Sequence, residues 1–322
     1  MKNYRRLIGY LITLLILFFL GRTLYTSWSQ VVESGFQFNF NAPLLIVSLV
    51  LLVVARGFAV EAWRRILIAL GEYITFTIGM RVWFISNLAR YIPGNVWQVA
   101  AMITLVEEKG VGKTNALISQ IIYTAIALAI AGLIGLGFVF AQPQILNGIV
   151  NIAQLPYVQA APWVGGAACI ALVAVFSAPH SYRLIVNLAS RITHRELTAP
   201  DHSFARGLIP PLYSIAMWVT NGLAFYLFVA SITPVAPAQL SAFIAMNAAA
   251  YWIGYVSFIT PSGLGFREAA LALMLAIFFP TPVAIALSLV TRLWSTAGEL
   301  LGVVTIWGLP SRKMLAREDD AR

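Results

Sequence analysis

Two short runs hold most of the residues able to do chemistry. The first, Arg90-Tyr91-Ile92-Pro93-Gly94-Asn95-Val96-Trp97-Gln98, sets a guanidinium, two amides and an indole around a Pro-Gly break. The second, Thr260-Pro261-Ser262-Gly263-Leu264-Gly265-Phe266-Arg267-Glu268, sets two hydroxyls, a guanidinium and a carboxylate around a Pro and two Gly. Proline removes a backbone donor and disfavours helix in the residue before it, whereas glycine permits turns that other residues resist. A helix restarting after such a break presents free N–H groups, which make an anion site. Arginine adds a planar fork suited to phosphate. The expected binding residues are therefore Arg90, Pro93, Gly94, Asn95, Trp97 and Gln98 in the first run. In the second they are Pro261, Ser262, Gly263, Gly265, Arg267 and Glu268. The chemistry they fit is capture of a phosphate-bearing headgroup. The competing reading is that the breaks only make interfacial turns, with Arg90 and Arg267 reaching to water along their aliphatic stems.

Other polar residues stand inside apolar runs. Arg292 and Glu299 are seven apart and share a helix face, and Arg56 and Glu61 lie together on an earlier run. Charges in such places mark a cavity or a proton path, or else pair to fix helix packing. All four are candidates for lining a cavity. Gly298 and Gly302 form a small-x-x-x-small pattern suited to helix contact. His180, His194 and His202 lack metal-ligand spacing, and the single cysteine, Cys169, cannot form an intramolecular disulfide. Gly112-Lys113-Thr114 resembles the end of a phosphate-binding loop, but the first glycine of that motif would fall at Glu107 and no strand precedes it. No nucleophile–base arrangement stands out. The reading is of a protein that is not an enzyme, with no metal and no cofactor.

The elements that position these residues are hydrophobic. Of the 322 residues 60% are hydrophobic and 10% are charged, against about 25% charged in soluble domains. Mean hydropathy is +0.83. The fold class expected is an all-α polytopic membrane protein forming one integral domain over residues 1–322. The net charge of +9 is spread between the apolar runs, which argues topology rather than nucleic-acid binding. Lys2, Arg5 and Arg6 precede a first span at Leu7–Leu20, expected uncleaved with its N-terminus in the cytoplasm. Residues 27–42 and 141–161 lack Lys and Arg and are expected outside, whereas 178–207 holds Arg183, Arg191, Arg195 and Arg206 and is expected inside. Further spans are expected from Pro43 to about Leu70, over Asn115–Phe140, Pro162–Phe176, Leu208–Ile232 and Val283–Gly308. Arg312, Lys313 and Arg317 place the C-terminus inside.

Pro93 and Pro261 stand 168 positions apart, and the same shift superposes the neighbouring apolar segments: 73–91 on 241–259, 96–106 on 264–274, and the span from 115 on that from 283. This predicts a first repeat over 43–140 and a second over 208–308. Charge bias gives the copies opposite topology, as in transporters whose paired broken segments mark the binding site. Each limb–break–limb unit is then a re-entrant hairpin: Tyr73–Val106 from the cytoplasm, Gln239–Phe279 from outside, tips near the midplane. The expectation is six spanning helices plus two re-entrant hairpins, or eight helices if each hairpin is scored as a crossing. An eleven-residue limb reaches only about half of the roughly 30 Å hydrocarbon core.

At Tyr91-Ile92-Pro93-Gly94-Asn95-Val96-Trp97 and Pro261-Ser262-Gly263-Leu264-Gly265-Phe266-Arg267-Glu268-Ala269 the chain resembles the lysylphosphatidylglycerol synthase transmembrane-domain family. That family is similar to the flippase-like membrane half of bacterial multiple-peptide-resistance proteins and occurs also as stand-alone inner-membrane proteins. The resemblance runs from about residue 7 to 308, and the second motif is the more specific. Family members often carry Gly where Ser262 stands and Lys where Asn95 stands, so a shared basic contact at 95 is missing. The resemblance implies a flippase-like transporter in a bacterial plasma (inner) membrane, handling anionic phospholipid or lipid-linked headgroups. The alternative it leaves open is a non-catalytic accessory subunit of a lipid-linked glycosyl- or aminoacyl-transferase. Its partners would be membrane lipids and, in that alternative, a transferase; no nucleic acid is expected. The synthase proper needs an additional soluble catalytic domain, and the chain ends at Arg322, so a synthase is not expected.

Overall fold

The computed structural model describes residues 39–89, 97–141, 156–178, 204–257 and 265–307, besides positions 22, 180, 183, 184, 187, 190, 191 and 263. The expected first span and the sites Arg90, Pro93, Gly94, Asn95, Pro261 and Ser262 lie outside the described residues. What is described is helical and contains no strand: α1 (Ala42–Ala69), α2 (Phe76–Leu88), α3 (Trp97–Glu107), α4 (Lys113–Ala141), α5 (Pro156–Ser177), α6 (Ile209–Ala230), α7 (Leu240–Val256), α8 (Phe266–Leu275) and α9 (Thr281–Trp307), with a single turn at Phe204–Gly207 and a 3-10 turn at Pro237–Gln239.

Local chemistry sets the helix ends. Asn41 Oδ1 accepts from Leu44 N at 3.2 Å, and Pro43 opens the first turn of α1. Gly71, at φ +80°, turns the chain after α1, and Thr75 Oγ1 then caps α2 by accepting from Ile78 N at 3.3 Å. Glu72 ties this corner to the start of α4, accepting from Gly112 N at 3.0 Å and Asn115 Nδ2 at 2.9 Å. The helix α8 begins at Phe266, directly after Gly265. The reason is Glu268, whose Oε2 accepts from Gly265 N at 2.7 Å and so secures a first turn containing Arg267.

Ala42–Ala69, Lys113–Val139 and Ile209–Ala230 are long and apolar enough to cross a membrane. The helix α9 is as long as these but less apolar, because one stripe of it is polar: Arg292, Ser295, Thr296 and Glu299 recur at helical spacing. Its outward positions, Leu293, Leu300 and Val304, are exposed, as are Ile46, Val50 and Val54 on α1 and Leu212, Ile215 and Val219 on α6. Exposed aliphatic stripes around a polar interior are what a hydrocarbon solvent favours. The fold is an all-α membrane fold.

Two apolar cores hold it. Trp63, Ile66, Ile122, Ile126 and Trp218 belong to one, and Phe225, Phe228, Phe243, Leu275 and Trp294 to the other. The Phe228 and Trp294 rings stack at 5.0 Å. The most extensive helix contact is α1 with α6. Among these eight helices every other pairing has a counterpart when α1, α2, α3 and α4 are exchanged for α6, α7, α8 and α9: α2·α3 with α7·α8, α3·α4 with α8·α9, α4·α7 with α2·α9, and α1·α9 with α4·α6; α5, which packs on α4, stands outside the pattern. Small residues permit the close approaches. A Cβ on Gly222 would meet the Ile244 backbone, one on Gly298 would strike Leu52, and one on Gly302 would strike Phe84.

Candidate functional site

The helix α9 turns its polar stripe to one side of a cavity, and α4 faces it with Gln120, Tyr123 and Thr124, and Ala127 one turn on. The cavity between them measures about 210 Å³. Its walls are completed by Arg56 from α1, Trp83 and Asn87 from α2, and Gln98 and Val99 from α3. Met217 and Trp218 of α6, Tyr251, Gly254 and Tyr255 of α7, Gly263 and Arg267 close the other side.

Position pairs 168 apart face this one space: Trp83 and Tyr251, Asn87 and Tyr255, Val99 and Arg267, Thr124 and Arg292, Ala127 and Ser295, Leu128 and Thr296. The chemistry of the two sides differs. At the positions where α8 and α9 supply Arg267 and Arg292, α3 and α4 supply Val99 and Thr124. One wall is cationic, the other neutral and hydrogen-bonding, and Arg56 adds a third guanidinium.

Each cation is positioned differently. Arg292 Nη1 donates to Glu268 Oε1 at 2.8 Å, with the carboxylate side chain 6% exposed. Glu268 thus fastens α8 to α9 with one oxygen and starts α8 with the other. Arg267 lies over the Tyr251 ring, 5.6 Å from its centroid. Tyr251 is itself set edge-on to Trp218 at 5.1 Å. Arg56 Nε is buried and has no hydrogen-bond partner among the described residues. Three arginines with Glu299 as the one carboxylate in the lining leave the cavity wall net positive.

The turn before α8 depends on glycine. Gly263 and Gly265 have φ of +67° and +88°, and a Cβ on Gly263 would meet the Gly254 backbone within 2.8 Å. A Cβ on Gly254 would in turn meet Arg267 Cβ at 2.8 Å. The end of α7 and the start of α8 therefore pass each other with no room for side chains, and this close passage presents Arg267 to the cavity. On the other side Gln98 Nε2 donates to Asn87 Oδ1 at 2.5 Å, tying α3 to α2 beside the same space.

Of the residues singled out from the sequence, Gln98, Gly263, Arg267, Arg56, Arg292 and Glu299 line the cavity. Gly265 and Glu268 stand just behind it, as cap and ion-pair partner. Trp97 is 37% exposed and does not line it. Glu61 lies elsewhere: its carboxylate accepts from Arg64 Nε at 2.7 Å and Arg65 Nε at 2.6 Å, one turn further along α1. Reading by motif passed over Trp83, Asn87, Gln120, Tyr123, Thr124, Tyr251, Tyr255, Ser295 and Thr296. The signal was present as polar and aromatic residues at i, i+3, i+4 and i+7 inside long apolar helices.

The polar cavity continues sideways. Val99, Gln120, Thr124, Leu128 and Tyr255 also line an apolar groove completed by Ala100, Ile103, Leu117, Ile121 and Ala125 between α3 and α4. Leu117 and Ile121 are 42% and 55% exposed, so the groove lies on the outer, apolar surface. No group of His, Cys, Asp and Glu able to hold a metal occurs among the described residues.

A helical membrane fold with a cavity lined by Arg56, Arg267 and Arg292 defines an integral membrane protein with a polar interior. The chain belongs to the family described as the lysylphosphatidylglycerol synthase TM region, whose model matches residues 6–302. A search of the curated proteins found no match.

Proposed function

We propose that this protein is a lipid transporter of the flippase-like kind, passing the headgroup of an anionic phospholipid or lipid-linked substrate through the central cavity. The observation that carries the reading is the continuity of two unlike spaces. Arg56, Arg267 and Arg292 face a polar cavity, and that cavity shares a wall with an apolar groove on the outer surface. An amphiphile has one end for each. A soluble anion would use only the first.

The exchange pattern of helix contacts supports an inverted repeat in which α2–α3 and α7–α8 are re-entrant hairpins meeting at the cavity. With 13 and 11 residues, α2 and α3 reach only about 20 and 16 Å at about 1.5 Å per residue, short of a bilayer core. Alternating access then moves one half against the other around the arginines. In this reading the protein acts without chemistry on the lipid, in a bacterial inner membrane, with both termini cytoplasmic.

The test is headgroup translocation in proteoliposomes, using labelled anionic phospholipids and an impermeant quencher. The native chain should deplete the protected pool, and Arg267→Ala at equal folded yield should slow this by about tenfold or more, the loss of one charge-assisted contact. Absence of movement with every anionic lipid tried, in protein verified as folded, overturns the transporter. An accessory subunit of a lipid-linked transferase, recognised by co-purification with that enzyme, would then replace it.

A further inference from the structure

The two halves of the exchange pattern are not in the same state. In the first half an apolar groove runs between α3 and α4, lined among others by Ala100, Ile103, Ile121 and Thr124. In the second half α8 and α9 pack together more extensively. Shifted by 168, Ala100, Ile103 and Thr124 become Glu268, Leu271 and Arg292. Ala100 is exposed and Ile103 half-buried, whereas Glu268 and Leu271 are 5% and 1% exposed. Leu271 shares the buried face of Glu268 and joins Val283 and Leu287 of α9 in one apolar core. The bond from Arg292 Nη1 to Glu268 Oε1 therefore spans a closed seam, at the two positions whose counterparts both line the open groove. Alanine offers no polar side-chain group, so no such tie can form between Ala100 and Thr124.

Arg292 serves two structures at once. It ties α8 to α9, and it lines the central cavity. An anionic group in the cavity competes with the Glu268 carboxylate for this guanidinium, since both accept charge-assisted hydrogen bonds from it. A ligand shifts a conformational equilibrium only by binding one state better, and an anion that takes Arg292 from Glu268 binds best where the seam has parted. We propose that Glu268 and Arg292 form the latch of a second lateral groove. The pair holds the seam between α8 and α9 shut. An anion that replaces the carboxylate on Arg292 lets this seam open toward the opposite leaflet, while the groove between α3 and α4 closes. The released Glu268 keeps its bond from Gly265 N and meets water as the helices part, so its charge is not stranded. Both are positioning residues for this step, which couples the change of open side to the arrival of an anion. The inference rests on the reading of the protein as an inverted-repeat lipid transporter.

Labels at paired positions test it apart from transport. Ile121, 55% exposed on the groove, has half-buried Leu289 as its counterpart. In a Cys169→Ala background, Ile121→Cys and Leu289→Cys would each carry a bimane fluorophore. The full chain would sit in phosphatidylcholine nanodiscs containing nitroxide-tailed lipid, whose acyl chains quench only a label they reach. Quenching should be stronger at position 121. Saturating dihexanoyl phosphatidic acid should raise it at 289 by about twofold and lower it at 121, as one two-state shift requires; dihexanoyl phosphatidylcholine should do neither. Glu268→Gln, which keeps an acceptor for Gly265 N, should raise quenching at 289 with no anion added and respond little further, with folding checked by thermal unfolding. No change at 289 with the anionic lipid overturns the inference, and the ion pair is then a fixed tie. So does an undiminished response in Glu268→Gln, an equal response to the zwitterionic lipid, or a rise at 289 with no fall at 121. If inorganic phosphate acts as well as the lipid, the latch stands and its trigger is a free anion. If the labels respond but proteoliposomes move no lipid, the latch stands and the transport reading falls. If lipid moves while 289 never responds, the transport reading stands and the latch falls.

Discussion

Glu268 shows how a functional side chain is held in a low-dielectric interior. By sequence it is one more polar group beside a Pro-Gly break. In the fold one of its oxygens accepts from Gly265 N and the other from Arg292 Nη1. Breaking a buried pair by deleting one partner strands the other charge and typically costs about 3–5 kcal/mol. Glu268→Ala is therefore expected to destabilise by about that amount, seen as a lowered Tm of the detergent-purified protein, and to release the start of α8. Glu268→Gln retains an acceptor for Gly265 and should fall between the two. If the alanine variant unfolds at the native temperature, the pair contributes nothing and the tie between α8 and α9 is carried by packing alone. Glu61 is the contrast. It too is a carboxylate within an apolar run, but it sits where Arg64 and Arg65 follow on the same helix, and it turns to them. Sequence marks both as unusual. Only the neighbours brought by the fold separate the cavity's scaffold from a local charge cluster.

At the scale of elements, the connection from α7 to α8 is the place where backbone geometry sets site geometry. Gly263 has a positive φ and passes against the Gly254 backbone, which in turn backs Arg267. Gly263→Ala adds a Cβ where there is no space and where L side chains are rarely found. A cost of about 1–3 kcal/mol is expected. The expected readout is selective: translocation should fall toward the Arg267→Ala level while overall helicity by circular dichroism is kept. Gly71, also at positive φ but with open space around its Cβ position, is the control, and Gly71→Ala should leave translocation intact. Equal effects of the two substitutions would deny the α7–α8 turn any special role. The Pro and Gly content made this break legible in the sequence. The helix start after Gly265, with Arg267 in its first turn, was legible too, whereas the bond from Gly265 N to Glu268 Oε2 that secures it was not.

At the scale of the whole molecule, the exchange pattern of helix contacts and the lining pairs 168 apart bear on topology. Cysteine accessibility in a Cys169→Ala background separates hairpins from full crossings. Position 109 should label from the cytoplasm and 281 from outside. Gly94→Cys should be slow to label, or protected by an anionic lipid. Ready labelling of position 94 from outside would show α2 to be a crossing helix and would remove the re-entrant arrangement.

Composition alone determined the class of solvent: a chain 60% hydrophobic and 10% charged has no soluble core to build. Apolar runs and their Pro-Gly interruptions marked where the described helices fall, because helix formation in apolar surroundings depends on them. Which polar residues meet was decided only by tertiary structure. Trp83 and Gln120 are separated by a hairpin limb and a turn, and Arg56 is more than 200 positions from Arg292. Nothing local distinguishes a satisfied buried Trp such as Trp218 from Trp83, whose buried indole N–H has no partner among the described residues. That difference arises from which helix packs opposite each ring, a property of the assembled fold and not of any stretch of chain.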